Sequence, residues 1–150
     1  FLMECWQALE DAGYSNRALN GARCGVFVGC SVGDYEVVVN GASRDGDPYA
    51  FMGMSSSILA SRISYWLNLK GPSVALDTAC SSSLVAFHLA CESLRAGTSD
   101  MALAGASSVN VGLQAGYVFQ EGGIFSPDGH CRTFDAKAAG TVFGNGVGLV

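Results

Sequence analysis

The chain has 150 residues, of which 49% are hydrophobic, 14% are charged and 20 are glycine. Soluble domains carry about 25% charged residues, and disordered chains and coiled coils carry few core residues or many charges, so both of those classes are excluded. Eight basic residues against thirteen acidic ones leave a net charge of −5 with no Lys/Arg cluster, so the electrostatic footprint of a nucleic-acid binder is missing.

In chain order, Leu2, Cys5, Trp6 and Leu9 recur at helical spacing and Gly13 stands at a cap position. Residues 1–12 are therefore expected to form a helix with one buried face. The run Cys24–Cys30 is short and apolar, which suits a strand buried on both faces. A weakly patterned stretch follows, with Asp45-Gly46-Asp47-Pro48 as its clearest turn. Ser55-Ser56-Ser57 then leads into Ile58, Leu59, Arg62, Ile63 and Trp66, the pattern of a capped amphipathic helix. After a Gly71-Pro72 turn, residues 73–77 read as a second buried strand. Residues 81–96 read as a helix with Leu84, Phe87, His88, Cys91 and Leu94 inward, Arg95 in its last turn and Gly97 after it. Residues 101–106 are expected as a third buried strand. Alternating helices and strands call for a parallel sheet with helices packed on it, and the glycine excess suits such close packing.

Six cysteines lie at irregular spacing without a CxxC pair, so they read as reduced thiols of a cytoplasmic protein. No apolar run approaches the length of a membrane span. His88 and His130 stand far apart with no metal-ligand spacing around them, so no metal site is expected. The chain opens at Phe1 already in helical register and closes on the apolar run 146–150. Residues 1–150 are thus expected to be part of a larger domain, truncated at both ends.

The segment richest in chemistry is Asp77-Thr78-Ala79-Cys80-Ser81-Ser82-Ser83. It sets Cys80 between a strand end and the first turn of a long helix, where free backbone N–H groups and the helix dipole favour negative charge and where small serines leave the sulfur open. The same N–H groups, that of Cys80 among them, are suited to receive the oxyanion of a thioester under attack. A buried structural cysteine is the alternative. A rival nucleophile is Ser31, because Gly29-Cys30-Ser31-Val32-Gly33 matches the GxSxG elbow of serine hydrolases, although a β-branched run follows where the elbow needs a helix. Gly144-Asn145-Gly146-Val147-Gly148 lacks the spacing of a dinucleotide fingerprint and reads as a glycine-rich turn beside a strand, so no cofactor-binding residue is expected. His88 lies two helical turns beyond Cys80, too far to be its base, and His130 sits in a solvated turn.

The Cys80 segment resembles the active-site motif of β-ketoacyl synthases, in the form found in ketosynthase domains of modular polyketide synthases. Residues 6–13, 62–73, 125–129 and 131–136 resemble further blocks of that family in the same order. The resemblance implies a thiolase-like α/β fold, layered αβαβα, of which this chain is mostly the N-terminal half. It implies that Cys80 accepts an acyl chain from the phosphopantetheine of an acyl carrier protein and condenses it with a malonyl-type extender, with no cofactor bound directly. It also implies a homodimer with carrier-protein and neighbouring synthase domains as partners, and neither nucleic acid nor membrane. The fragment alone is expected to be inactive, since the family's two catalytic histidines belong to later motifs that neither His88 nor His130 matches. Thr141 and Asn145 stand where the family commonly has an aromatic residue and an acid. The alternatives are a non-elongating ketosynthase serving as a carrier-protein docking domain, and a serine hydrolase using Ser31.

Overall fold

The computed structural model describes residues 1–31, 33–35, 38, 52–111 and 116–150. The Asp45–Pro48 turn and most of the β-branched run after Ser31 lie outside the described residues. Among the described residues, nine elements follow one another: α1 (Leu2–Asp11), α2 (Asn16–Leu19), β1 (Cys24–Cys30), α3 (Ser56–Trp66), β2 (Ser73–Leu76), a 3-10 turn (Ala79–Ser81), α4 (Ser82–Arg95), β3 (Met101–Ser108) and β4 (Gly146–Leu149).

The strands form one sheet in the order β2-β1-β3-β4. Strand β1 pairs in parallel with β2 and β3, as alternation with helices requires, while β4 runs antiparallel to β3. Being central, β1 is buried along its whole length, as expected. Its Cys24, Val26, Val28 and Cys30 pack with Cys5 and Leu9 of α1, Leu19 of α2, and Ala60 and Ile63 of α3. On the other face, Phe27 packs with Ala86 and Ala90 of α4 and Ala104 of β3. Period-two alternation along one strand therefore serves two cores and yields three layers, helices–sheet–helix.

Helix α1 ends as its glycine foretells. Gly13 takes φ +80°, its N–H reaches Glu10 O at 3.0 Å, and the Tyr14 N–H reaches Leu9 O at 2.8 Å. These two bonds are those of a Schellman cap.

Three expectations are corrected by tertiary placement. Strand β2 is only half buried, because it lies at the edge of the sheet order. Ser55 occupies the N-cap of α3, yet its hydroxyl pairs with Ser57 Oγ at 2.7 Å and caps no helical N–H, and Trp66 is 67% exposed rather than inward. The third correction concerns α4, which buries Ser82, Ala86, Ala90 and Ser93 and leaves Leu84 74% exposed, with Phe87, His88 and Leu94 also outward and Cys91 only partly covered. The helix offers two stripes, one large and apolar and one small. The small stripe lies against the sheet, and at its start Gly29 admits the close approach: a Cβ there would stand 2.7 Å from Ser82 Cβ and 2.8 Å from Ser82 C. Burial of Ser93 costs little, because its hydroxyl meets Thr98 Oγ1 and Ser99 Oγ, each at 2.7 Å.

Candidate active site

The parallel strands β1, β2 and β3 end together, with Gly29 beside Leu76 and Cys30 beside Ser107. The chain passes from β2 on one flank of β1 to β3 on the other, so their carboxyl ends form a topological switch point, the common place for a site in such sheets. Cys80 stands there, between β2 and α4.

The turn that carries it is tied by its own side chains. Asp77 Oδ1 accepts the Ala79 N–H at 2.9 Å. Ser82 Oγ accepts the Thr78 N–H at 2.9 Å and donates to Ala79 O at 2.7 Å. Ser81 Oγ donates to Thr78 O at 2.8 Å. These bonds hold Ala79 at φ +54°, a left-handed conformation that costs an L-residue roughly 1–2 kcal/mol. Cys80 follows at once and is exposed, so the alternative of a buried structural thiol does not describe it. Among the described residues, the hydrogen bonds of the turn engage neither the Cys80 thiol nor its N–H.

Cys80 opens onto a cavity of about 810 Å³. Ser31, Ser107 and Ser108 line it from the strand ends, Phe143 and Gly144 from the segment before β4, and Gly146 from the start of β4. Phe143 is itself held by aromatic neighbours: Phe125 meets it edge-on at 5.0 Å and stacks on Tyr117 at 4.6 Å. A second cavity of about 360 Å³ shares Cys30, Ser31, Ser107, Ser108 and Asn110 with the first. Cys30 is a poor candidate nucleophile, since burial, and after it the charge of Asp77, pushes its thiol up from the ordinary value.

Ser31 is brought into the same cavity as Cys80 and is exposed. Neither histidine of the chain joins them. His88 is exposed on α4, and His130 is turned onto its own loop with Nδ1 2.8 Å from Asp128 O. That loop belongs to the block at residues 125–136: buried Ser126 donates to Asp128 at 2.8 Å, and Arg132 reaches both carboxylate oxygens at 3.1 and 2.7 Å. Sequence reading did not assign Asn110 to the site. Its only signal is a lone amide at the end of a strand of small residues.

The family described as "Beta-ketoacyl synthase, N-terminal domain" matches residues 1–150. One component of the phenolphthiocerol/phthiocerol polyketide synthase of Mycobacterium tuberculosis is 45% identical over 145 residues, which is 97% of this chain and 9% of that protein. Polyketide synthase GfsA of Streptomyces halstedii is 48% identical over 148 residues, 97% of this chain and 2% of its length. Among solved structures, the ketosynthase from module 6 of the bacillaene synthase of Bacillus subtilis superimposes with a TM-score of 0.82 at 44% identity, covering 99% of this chain and 25% of that one. An oxazolomycin ketosynthase domain from Streptomyces albus gives 0.81 at 39% identity, with coverage of 99% and 26%. The fold is thus that of the thiolase-like ketosynthases. The chain belongs to the β-ketoacyl synthase family, in its N-terminal domain, and spans about a quarter of the solved ketosynthases it matches.

Proposed function

We propose that residues 1–150 are the nucleophile-bearing part of a ketosynthase domain of a polyketide synthase, and that Cys80 is the residue that carries the growing chain. The observation that carries this reading is the exposed Cys80 on a turn fixed by Asp77, Ser81 and Ser82, opening onto a cavity of about 810 Å³. In the first half-reaction the Cys80 thiolate attacks the carbonyl carbon of an acyl thioester on the phosphopantetheine of an acyl carrier protein. The tetrahedral oxyanion is received by the Cys80 N–H, the carbon–sulfur bond to pantetheine breaks, and the released thiolate takes up a proton. In the second, a malonyl-type extender on a carrier protein loses CO2, and its carbanion attacks the acyl-Cys80 carbonyl. A carbon–carbon bond forms and the Cys80 thiolate leaves.

Partners under this reading are carrier-protein domains, neighbouring synthase domains and a second copy of the protein, in the cytoplasm. The relatives' great length relative to this chain supports the multidomain setting. No described helix is long and apolar enough to cross a membrane. A Ser31 hydrolase is not favoured, because neither histidine of the chain reaches Ser31's cavity.

The test is to incubate the full-length protein with an acyl thioester of N-acetylcysteamine and to map the mass increase. Acylation on the peptide carrying Cys80, lost in Cys80→Ala and kept in Ser31→Ala, is the expected result. Equal acylation of the Cys80→Ala variant overturns the reading.

A further inference from the structure

Asn110 and Asn145 meet where the two cavities join. Asn110 lies just beyond Ser108, the last residue of β3, and lines both cavities. Asn145 stands between Gly144 and Gly146, which line the larger one. Asn145 Oδ1 accepts the Asn110 N–H at 2.6 Å, and Asn145 Nδ2 donates to Asn110 O at 3.3 Å. One side chain thereby continues the β3–β4 ladder beyond its last pair, Ser108 with Gly146. The segment is held again one residue later, where Asp34 Oδ1 accepts the Val111 N–H at 2.8 Å. Asn110 Nδ2 also turns back to Ser108 Oγ at 3.2 Å. The strand's exit is thus fixed by the loop after β1 and by the segment before β4.

The residue type matters. A carboxamide offers a donor and an acceptor to one peptide unit, an ionised carboxylate accepts only, and a leucine does neither. The smaller cavity beyond Asn110 is lined by Tyr35, Met54, Leu59 and Val109 together with Ser55 and Ser56.

We infer that Asn145 is a positioning residue that holds Asn110 as a fixed wall between the Cys80 cavity and the smaller one beyond it, and so sets how well a long acyl chain is accommodated on Cys80. This rests on Cys80 being the acyl-bearing nucleophile. An acetyl group stays beside the sulfur, whereas a medium-length chain must pass the junction that the Asn110–Asn145 pair shapes.

The test compares acylation of Cys80 by acetyl and octanoyl thioesters of N-acetylcysteamine in the full-length parent, Asn145→Leu and Asn145→Asp, with iodoacetamide labelling of Cys80 as the measure of accessible thiol. The ratio of the two acylation rates is independent of the fraction of protein folded, so a merely structural role leaves it unmoved. Asn145→Leu, which loses both bonds, is expected to lower the octanoyl-to-acetyl ratio about tenfold, and Asn145→Asp, which keeps the acceptor and loses the donor, to lower it by less, with iodoacetamide labelling kept. A ratio within about twofold of the parent's in Asn145→Leu, or one shifted toward octanoyl in either variant, overturns the inference. A parent that labels with iodoacetamide yet takes up neither thioester overturns the Cys80 reading itself, and this inference with it.

Discussion

Gly29 of β1 lies against Ser82 of α4 so closely that an added Cβ would meet Ser82 Cβ at 2.7 Å and Ser82 O at 3.0 Å. Ser82 in turn binds both Thr78 and Ala79, the residues that lead into Cys80. The strand therefore supports the Cys80 turn through a contact that only glycine permits. Gly29→Ala is expected to push the start of α4 away from the sheet, to destabilise by about 1–3 kcal/mol and to slow acylation at Cys80. Thermal unfolding of the full-length protein and the acylation rate check both effects, and an unchanged melting temperature would count against this account.

Ser82 and Ser83 are adjacent and alike in sequence but unlike in role. Ser82→Ala leaves the Thr78 N–H without its partner and leaves the Ala79 carbonyl with the Ser82 N–H alone, a change expected to cost about 1–3 kcal/mol and to make Cys80 labelling more heterogeneous. Ser83 is exposed, and Ser83→Ala is expected to fall within about 0.5 kcal/mol of the parent. Denaturant unfolding of the two variants side by side makes the comparison.

The Arg132 guanidinium, then the Ser126 hydroxyl, hold the Asp128 carboxyl well below the usual carboxylate range. A carboxyl depressed in the folded state adds stability that is present above its unfolded value, about 3.9, and that is lost as pH falls further. The contribution of Asp128 to the 126–132 loop is thus expected to stay constant from pH 7 down to about 5 and to be lost in acid. Arg132→Ala is expected to raise the Asp128 midpoint toward the ordinary value, as a carboxyl-carbon NMR titration would show.

The six cysteines are expected to divide by reactivity. Burial pushes the Cys5 thiol up to about 12 and the Cys24 thiol up to about 11. At Cys131 a hydrogen bond with Thr141, then the Val142 N–H at 3.0 Å, lowers the thiol on an exposed site. Iodoacetamide at pH 7.5 is expected to modify Cys80 and Cys131 first and Cys5 and Cys24 last, with Thr141→Val slowing Cys131. Since the unfolded chain loses the Cys5 and Cys24 protons near pH 9 while the folded chain keeps them, stability is expected to fall as pH rises beyond that point. Peptide mass mapping against time gives the order.

The outward stripe of α4 predicts behaviour in isolation. With Leu84, Phe87 and Leu94 exposed on one helix, residues 1–150 expressed alone are expected to bind a hydrophobic dye and to aggregate. A sharp, cooperative thermal transition without dye binding would contradict this.

Local chemistry was legible wherever a residue's neighbours in sequence are also its neighbours in space. The Gly13 cap, the apolar run that becomes β1, and Cys80 between a strand and a helix could all be read from the chain, because turns, caps and strand periodicity depend on short-range geometry. The direction α4 faces could not be read that way. Its large apolar residues promise more buried area than its serines and alanines, yet the small residues are the ones placed against the sheet, where Gly29 admits the close approach of Ser82. The half-buried state of β2 depends on its position in the sheet order, which pairing decides and no single strand encodes. The Asn110–Asn145 pair likewise joins residues 35 apart in sequence, so its existence follows from β4 closing antiparallel on β3. The sequence by itself determined the family, the strand and helix types and the identity of the candidate nucleophile. Tertiary structure alone decided which helix face is covered and which residues wall the cavity, because both depend on how closely separated segments approach.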